Sequence, residues 1–160
     1  MYCIKTITEH TLKAYSLLLL KDKRIASCSA DRTIRIYDPS NDYHCYQVLE
    51  RHNSHIFSIC ELEDGTIVSS SFDNTIMIDE YKIKDAYDGI LNKLITLPNN
   101  RIASCSENKK IKLWKSNPPF KVLEGHNASV TSLLYIKDRD IMISGSIDCT
   151  LRLWNMSTYQ

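Results

Sequence analysis

Short stretches of alternating apolar and polar residues run the length of the chain. Ile34-Arg35-Ile36 and Leu151-Arg152-Leu153 show the pattern plainly. Every second side chain is apolar, the period of a strand with one buried face. Ahead of each such strand stands a run of small residues, Ala26-Ser27-Cys28-Ser29 or Ser144-Gly145-Ser146, suited to close approach of neighbouring sheets. An apolar strand such as Val130-Thr131-Ser132-Leu133-Leu134-Tyr135 comes before that run, and polar turns such as Glu63-Asp64-Gly65 and Pro98-Asn99-Asn100 separate the two. No segment sustains an i, i+3, i+4, i+7 pattern over a helical length, so the pattern predicts an all-β fold.

The strands recur in register. Ile25–Asp38 aligns with Ile67–Asp79, Ile102–Trp114 and Met142–Trp154, and the equivalent positions Asp31, Asp73, Asn108 and Asp148 stand 42, 35 and 40 residues apart. Four copies at nearly constant spacing predict one supersecondary unit used four times, each unit of four short strands. The repeats run approximately over 7–38, 49–80, 86–115 and 123–155, within a single domain of 1–160. Residues 1–6 occupy the position of an outer strand ahead of the first copy.

These residues resemble the WD-repeat (WD40) family of β-propellers, and the resemblance covers nearly the whole chain. The fourth copy matches the family unit best: Gly125-His126, Val130, Leu133, Ser144-Gly145-Ser146, Asp148, then Thr150-Leu151-Arg152-Leu153-Trp154-Asn155. The resemblance implies four four-stranded antiparallel blades and a structural network of His, Ser, Asp and Trp in each. Carried over, copy four supplies His126, Ser144, Asp148 and Trp154. Copy one supplies His10, Ser27 and Asp31, with Tyr37 at the Trp position. Copy two has His52, Ser69 and Asp73, with Asp79 where the aromatic belongs. Copy three keeps Ser104 and Trp114, with Tyr87 at the His position and Asn108 at the Asp position. A buried carboxylate is tolerable only when hydrogen-bonded, and an imidazole can bridge it to a hydroxyl.

His, Ser and Asp together also suggest a hydrolase, but a catalytic triad is a single constellation in a single cleft. Here the three types recur in three copies at fixed offsets, as a structural device would, so no enzyme is expected. No phosphate-binding glycine loop or GxSxG elbow is present. His52-Asn53-Ser54-His55 lacks the acidic partner and the helix of an HExxH site, and no metal or cofactor is expected.

Composition narrows the partner. The 160 residues carry 20 Lys+Arg against 19 Asp+Glu, a net charge of +1, which gives no electrostatic case for nucleic acid or an anionic membrane. The basic clusters Lys21-Asp22-Lys23-Arg24 and Lys109-Lys110 read as solvated turns, without the interleaved aromatics of a nucleic-acid platform. The longest apolar run is Leu17–Leu20, far short of the ~20 residues that span a bilayer. The six cysteines include no CxxC pair and read as small buried hydrophobes rather than a disulfide framework. With no secretory signal at Met1–Lys5, these features predict an intracellular, first of all cytoplasmic, setting, with the nucleus open.

In proteins of this resemblance, loops at one end of the channel form a recognition face. The third and fifth residues after the network His, and the residue before the network Asp, point there. The corresponding positions are Lys13, Tyr15 and Ala30; His55, Phe57 and Phe72; Ile90, Asn92 and Glu107; Ser129, Thr131 and Ile147. The set holds three aromatics and no arginine, which predicts an apolar or mixed peptide rather than a phosphorylated one. The expected function is a non-catalytic scaffold or adaptor binding a protein or peptide. The alternative is the substrate-recognition subunit of a ubiquitin ligase.

Closure is left open between three arrangements. The segment before the first His could complete blade four in a small closed ring. Two copies could exchange terminal strands into an eight-bladed homodimer. Or the blades form a partial, open propeller.

Overall fold

Alternating strands can bury a face only against another sheet, and the chain solves this by stacking its repeats. The computed structural model describes residues 2–84, 86, 89–115 and 118–159. Within them, strands β1 (Ala14–Leu19), β2 (Ile25–Ser29), β3 (Ile34–Asp38) and β4 (His44–Leu49) form the first blade. The second contains β5 (Ile56–Glu61), β6 (Ile67–Ser71), β7 (Ile76–Ile78) and β8 (Tyr81–Ile83). The third contains β9 (Leu91–Leu97), β10 (Arg101–Ser106), β11 (Ile111–Trp114) and β12 (Lys121–Leu123). The fourth has only β13 (Val130–Ile136), β14 (Ile141–Ser146) and β15 (Leu151–Asn155). Each blade is an antiparallel meander in sequence order, and the fold is all-β with blades of the expected kind. The only helical pieces among the described residues are two single 3-10 turns, Pro39–Asn41 and Lys137–Arg139.

The fourth blade departs from the expectation of four strands. Of residues 1–6, expected as an outer strand, 2–6 are in no strand and residue 1 lies outside the described residues; Tyr2 and Ile4 are 89% and 86% exposed. Local contacts hold this segment to blade one. Lys5 pairs with Asp42 at 2.6 Å in the turn before β4, and Glu9 reaches Arg35 of β3. The edge of β15 therefore has no partner strand among the described residues, and the arc of blades is open.

Three apolar layers hold the arc together, one between each pair of neighbours. Ala26, Cys28, Ile34 and Ile36 of blade one meet Ile56 and Ile59 of blade two. Val68, Ile76 and Ile83 of blade two meet Leu91, Leu94, Ile102 and Trp114 of blade three. Ala103, Cys105, Ile111 and Leu113 of blade three meet Val130, Leu133, Met142 and Trp154 of blade four. The small residues of the second strands lie in these layers, where their size allows the sheets to approach.

The turn between the second and third strands is built alike in all four blades. Arg32, Asn74, Lys109 and Cys149 each take positive φ, at 71°, 61°, 70° and 66°. The preceding Asp or Asn accepts the backbone N–H two residues on, from Thr33, Thr75, Lys110 and Thr150, which closes the turn and offsets the backbone strain. Stacking carries most of the stability. Ile34→Ala, in the layer between blades one and two, should therefore cost about 2–5 kcal/mol. Tyr81→Ala, at an exposed position of β8, should stay within about 0.5 kcal/mol. Urea unfolding of the two variants checks the contrast, and equal midpoints would contradict it.

Candidate functional site

Beneath one rim of the arc lies a buried polar strut, present in three of the four blades. His126 leads into β13, Ser144 is on β14 and Asp148 is in the turn after it. His126 Nε2 stands 2.7 Å from Ser144 Oγ, and its Nδ1 stands 2.8 Å from the Asp148 carboxylate. A carboxylate can only accept, so Nδ1 carries the proton and Nε2 accepts from the serine hydroxyl. Ser144 Oγ in turn accepts the indole N–H of Trp154 at 2.8 Å. Blade one repeats the arrangement with His10 to Ser27 at 2.6 Å and to Asp31 at 2.8 Å. Blade two repeats it with His52 to Ser69 at 2.9 Å and to Asp73 at 3.2 Å.

The serines are buried, and each hydroxyl is engaged by its imidazole, at Ser144 by the indole as well. Burial keeps all three hydroxyls away from the surface of the blades.

Sequence reasoning missed one member of each strut. Thr33, Thr75 and Thr150 donate their hydroxyls to the same carboxylates at 2.6, 2.5 and 2.6 Å. The Asp-x-Thr spacing in three copies was the available signal. The hydroxyl of Thr150, then the backbone N–H of Asn127 and the His126 ring, hold Asp148 well below the usual carboxylate range. At Asp31 burial pushes the other way, but hydrogen bonds from Thr33 and His10 outweigh it. At Asp73 burial likewise opposes, and Thr75 and the Asn53 N–H prevail. Burial presses His52 below its ordinary 6.5, so it is neutral at pH 7.

The other expected positions differ. In blade three, Tyr87 lies outside the described residues. There Ser104 still accepts the Trp114 indole N–H at 2.7 Å, but its own hydroxyl donates to the Lys112 carbonyl. Asn108 closes its turn by accepting from Ser106 and Lys110. Asp79, at the aromatic position of blade two, pairs with Arg51 at 2.6 Å. Of the basic cluster at 21–24, Lys21 donates to the Leu62 and Glu63 carbonyls, tying blade one to blade two, and Arg24 pairs with Asp22.

The twelve rim positions come together blade by blade. A backbone hydrogen bond joins Ala30 N–H to Lys13, Phe72 to His55, Glu107 to Ile90 and Ile147 to Ser129, each at 2.9–3.0 Å. The remaining four, Tyr15, Phe57, Asn92 and Thr131, share a feature that no spacing rule supplies. Each sits where the first strand slips register against the second, between Ala14 and Ser16, Ile56 and Ser58, Leu91 and Lys93, and Val130 and Ser132. A β-bulge re-aims its extra side chain, and here it does so at the same place in every blade.

At blades one and two the result is a cluster of four rings. Tyr15 and Phe57 have centroids 4.8 Å apart, and Phe57 stands 6.3 Å from Phe72 and 6.4 Å from His55. Tyr15 and Phe72 are 42% and 51% exposed, so the cluster faces solvent. Blades three and four present a mixed rim instead, polar at Asn92, Glu107, Ser129 and Thr131 and apolar at the exposed Ile147. Asn92 donates to Ser129 Oγ and the Val130 carbonyl, linking the two blades, while Glu107, Thr131 and Ile147 are exposed and Ala30 is buried.

Stacked antiparallel meanders, bulged first strands and a recurrent His–Ser–Asp strut define an open arc of propeller blades. The WD40 model (WD domain, G-beta repeat) matches residues 1–38, 43–78 and 117–155, and the chain belongs to that family. It is similar to the nuclear distribution protein nudF of Aspergillus niger, 41% identical over 61 residues, which is 36% of this chain and 14% of that protein. Against the nuclear distribution protein PAC1 of Arthroderma benhamiae it is 27% identical over 144 residues, 83% of this chain and 24% of the relative. With the ribosome biogenesis protein WDR12 homolog of Arabidopsis thaliana it shares 28% identity over 89 residues, 46% of this chain and 21% of that one. The chain thus spans a quarter or less of the length of these relatives.

Two consequences of the strut can be measured. Ser144→Ala leaves the Trp154 indole N–H and the His126 ring nitrogen buried without their partner, at about 1–3 kcal/mol for each such group. Its melting temperature should fall well below that of Asp138→Ala, an exposed change; equal melting temperatures would count against the strut. The strut also sets a pH dependence. His52 and the three aspartates have folded-state pKa values below their unfolded ones. Stability is therefore complete above about 6.5 and falls on acidification, first through the imidazole and then more steeply below about 3.9. A melting temperature that rises between pH 7 and pH 3 would contradict this assignment.

Proposed function

We propose that the chain is a non-catalytic scaffold module that binds a protein or peptide partner through the rim around Tyr15, His55, Phe57 and Phe72. The observation that carries this reading is the solvent-facing cluster of four rings at one end of blades one and two, two of them, Tyr15 and Phe57, set at bulges. Aromatic side chains bury large area at low conformational cost and dominate the energetics of interfaces. Membership in a family of interaction domains supports the same conclusion. The relatives' names point to nuclear distribution in two cases and ribosome biogenesis in another, so the partner is inferred from the rim's own chemistry.

That chemistry favours a peptide with an apolar or aromatic anchor, flanked by polar groups that reach Asn92, Ser129, Thr131 and Glu107. Lys13 is the one cation among the twelve positions, and none is arginine, which weighs against phosphate as the feature recognised. The cysteines bear on the setting. All six are free thiols, and burial pushes Cys28, Cys60 and Cys105 up to about 12, leaving them protonated and inert. This supports a reducing compartment, the cytoplasm or the nucleus.

A peptide array carrying each sequence with and without phosphorylation tests the reading. Binders should be enriched in aromatic and aliphatic anchors. The triple change Tyr15→Ala, Phe57→Ala and Phe72→Ala should weaken them by tenfold or more, about 1.4 kcal/mol, without lowering the melting temperature comparably. Preferential capture of the phosphorylated members, or unchanged binding by the triple variant, would overturn it.

A further inference from the structure

At the end of the blades away from the rim, a cleft of about 610 Å³ opens between blades one and two, lined in part by the β1–β2 and β5–β6 turns. Leu20, Ile36, Leu49 and Ile67 give it an apolar wall. The same four positions recur at the other two junctions. Between blades two and three they are Leu62, Ile78, Ile83 and Ile102, and between blades three and four Leu97, Leu113, Leu123 and Met142. Each of those sets shares its layer with an indole, Trp114 in the first and Trp154 in the second.

Between blades one and two the chain supplies no indole. Trp154 lies opposite Met142 and Trp114 opposite Ile102, whereas Asp79 stands opposite Ile67, one step beyond the Val68–Ile78 pair. Its carboxylate is 64% exposed and meets Arg51 at 2.6 Å. Arg51 in turn stands where blade four has Gly125, at which a Cβ would touch the Trp154 ring at 3.5 Å. Arginine and aspartate here take the places of glycine and tryptophan. The ion pair fills the socket poorly. Nη1 of Arg51 is buried without a hydrogen-bond partner among the described residues. Leu49 and Ile67 stay half-buried, while their counterparts Ile83, Ile102, Leu123 and Met142 are at most 3% exposed.

Charge at the mouth of the cleft adds a preference. Arg24 is held by Asp22 and Arg51 by Asp79, and Lys21 directs its ammonium to the carbonyls of Leu62 and Glu63. Glu61, Glu63 and Asp64 line the cleft as well, so its acidic residues outnumber its basic ones five to three. Such an excess favours a cationic neighbour over an anionic one.

We propose that this cleft is a second binding site, which takes a tryptophan side chain of a protein partner that carries basic residues beside it. The occupant follows from the other two junctions, where the same four apolar positions close on an indole, and from the acidic mouth. An indole seated against Leu20, Ile36, Leu49 and Ile67 repeats a contact the chain makes twice within itself. Tryptophan buries a large apolar area and is enriched among the residues that dominate binding energy when held in a pocket. The cleft and the aromatic rim stand at opposite ends of the same two blades, so occupation of one leaves the other open.

Methyl-labelled full chain, titrated with blocked tripeptides and followed by NMR, tests this. Lys-Trp-Lys should shift the methyl signals of Leu20, Ile36, Leu49 and Ile67 saturably, with half-saturation below about 1 mM. Lys-Ala-Lys should leave them in place, and Glu-Trp-Glu should bind more weakly by about threefold or more. Two variants probe the socket itself. Asp79→Trp with Arg51→Gly restores the pairing of blade four, so it should melt higher than the wild type and lose the peptide shifts. Glu63→Lys changes one exposed side chain, leaves the far-ultraviolet dichroism unchanged and should weaken Lys-Trp-Lys by about threefold, which keeps the test decisive if the double variant does not fold. No saturable shift with Lys-Trp-Lys, equal shifts with Lys-Ala-Lys, or full affinity in Glu63→Lys or in a folded double variant would each overturn the proposal. The Tyr15/Phe57/Phe72 triple alanine variant should keep the shifts, and their loss there would place the peptide on the rim instead.

Discussion

A blade of this protein has two apolar faces and no core of its own. Its stability comes from the neighbour on each side, and the layers between blades bring together the most buried side chains, Ile34, Ile76, Ile111 and Trp114 among them. Sheets that can be satisfied only by sheets like themselves force a quasi-one-dimensional architecture, in which each repeat touches only the next. The small residues at Ala26, Val68 and Ala103 follow from that constraint, since bulk there would hold the blades apart. So does the exposure of Leu17 and Leu151, because an unclosed stack must end in two unsatisfied faces.

Much of this was legible in the sequence because the constraint repeats. Alternation in Ile34-Arg35-Ile36 and Leu151-Arg152-Leu153 marked third strands, and the polar groups at Glu63-Asp64-Gly65 and Pro98-Asn99-Asn100 marked the turns. The His, Ser and Asp positions came from a constant offset, and the structure brings them within hydrogen-bonding distance in blades one, two and four. What stayed hidden is what period and offset do not encode. The bulges at Tyr15, Phe57, Asn92 and Thr131 are slips of register, visible only once strands are paired. The opening segment has the composition of a strand but not its pairing, because Lys5 and Glu9 find ionic partners in blade one, while β15 lies at the other end of the arc.

The strut and the stack do different work, and blade three separates them. Its Asp position holds Asn108, and Ser104 turns its hydroxyl to the Lys112 carbonyl rather than to an imidazole. Even so, it forms a full four-stranded sheet with Trp114, Leu113 and Ile111 buried as deeply as any side chains in the molecule. A blade can therefore stack without the strut. What the strut adds is local: it joins the loop before the first strand to the second strand and to the turn beyond it. Those two joined pieces carry the rim, for the loop ends at His55 and the turn begins at Phe72, which are linked by a backbone hydrogen bond. Apolar burial lets the blades assemble, and in blades one, two and four the imidazole bridge ties the two pieces of the rim to the second strand. The aromatic cluster stands over blades one and two, where the strut is intact. The rim of blade three, by contrast, is tied to blade four by the amide of Asn92.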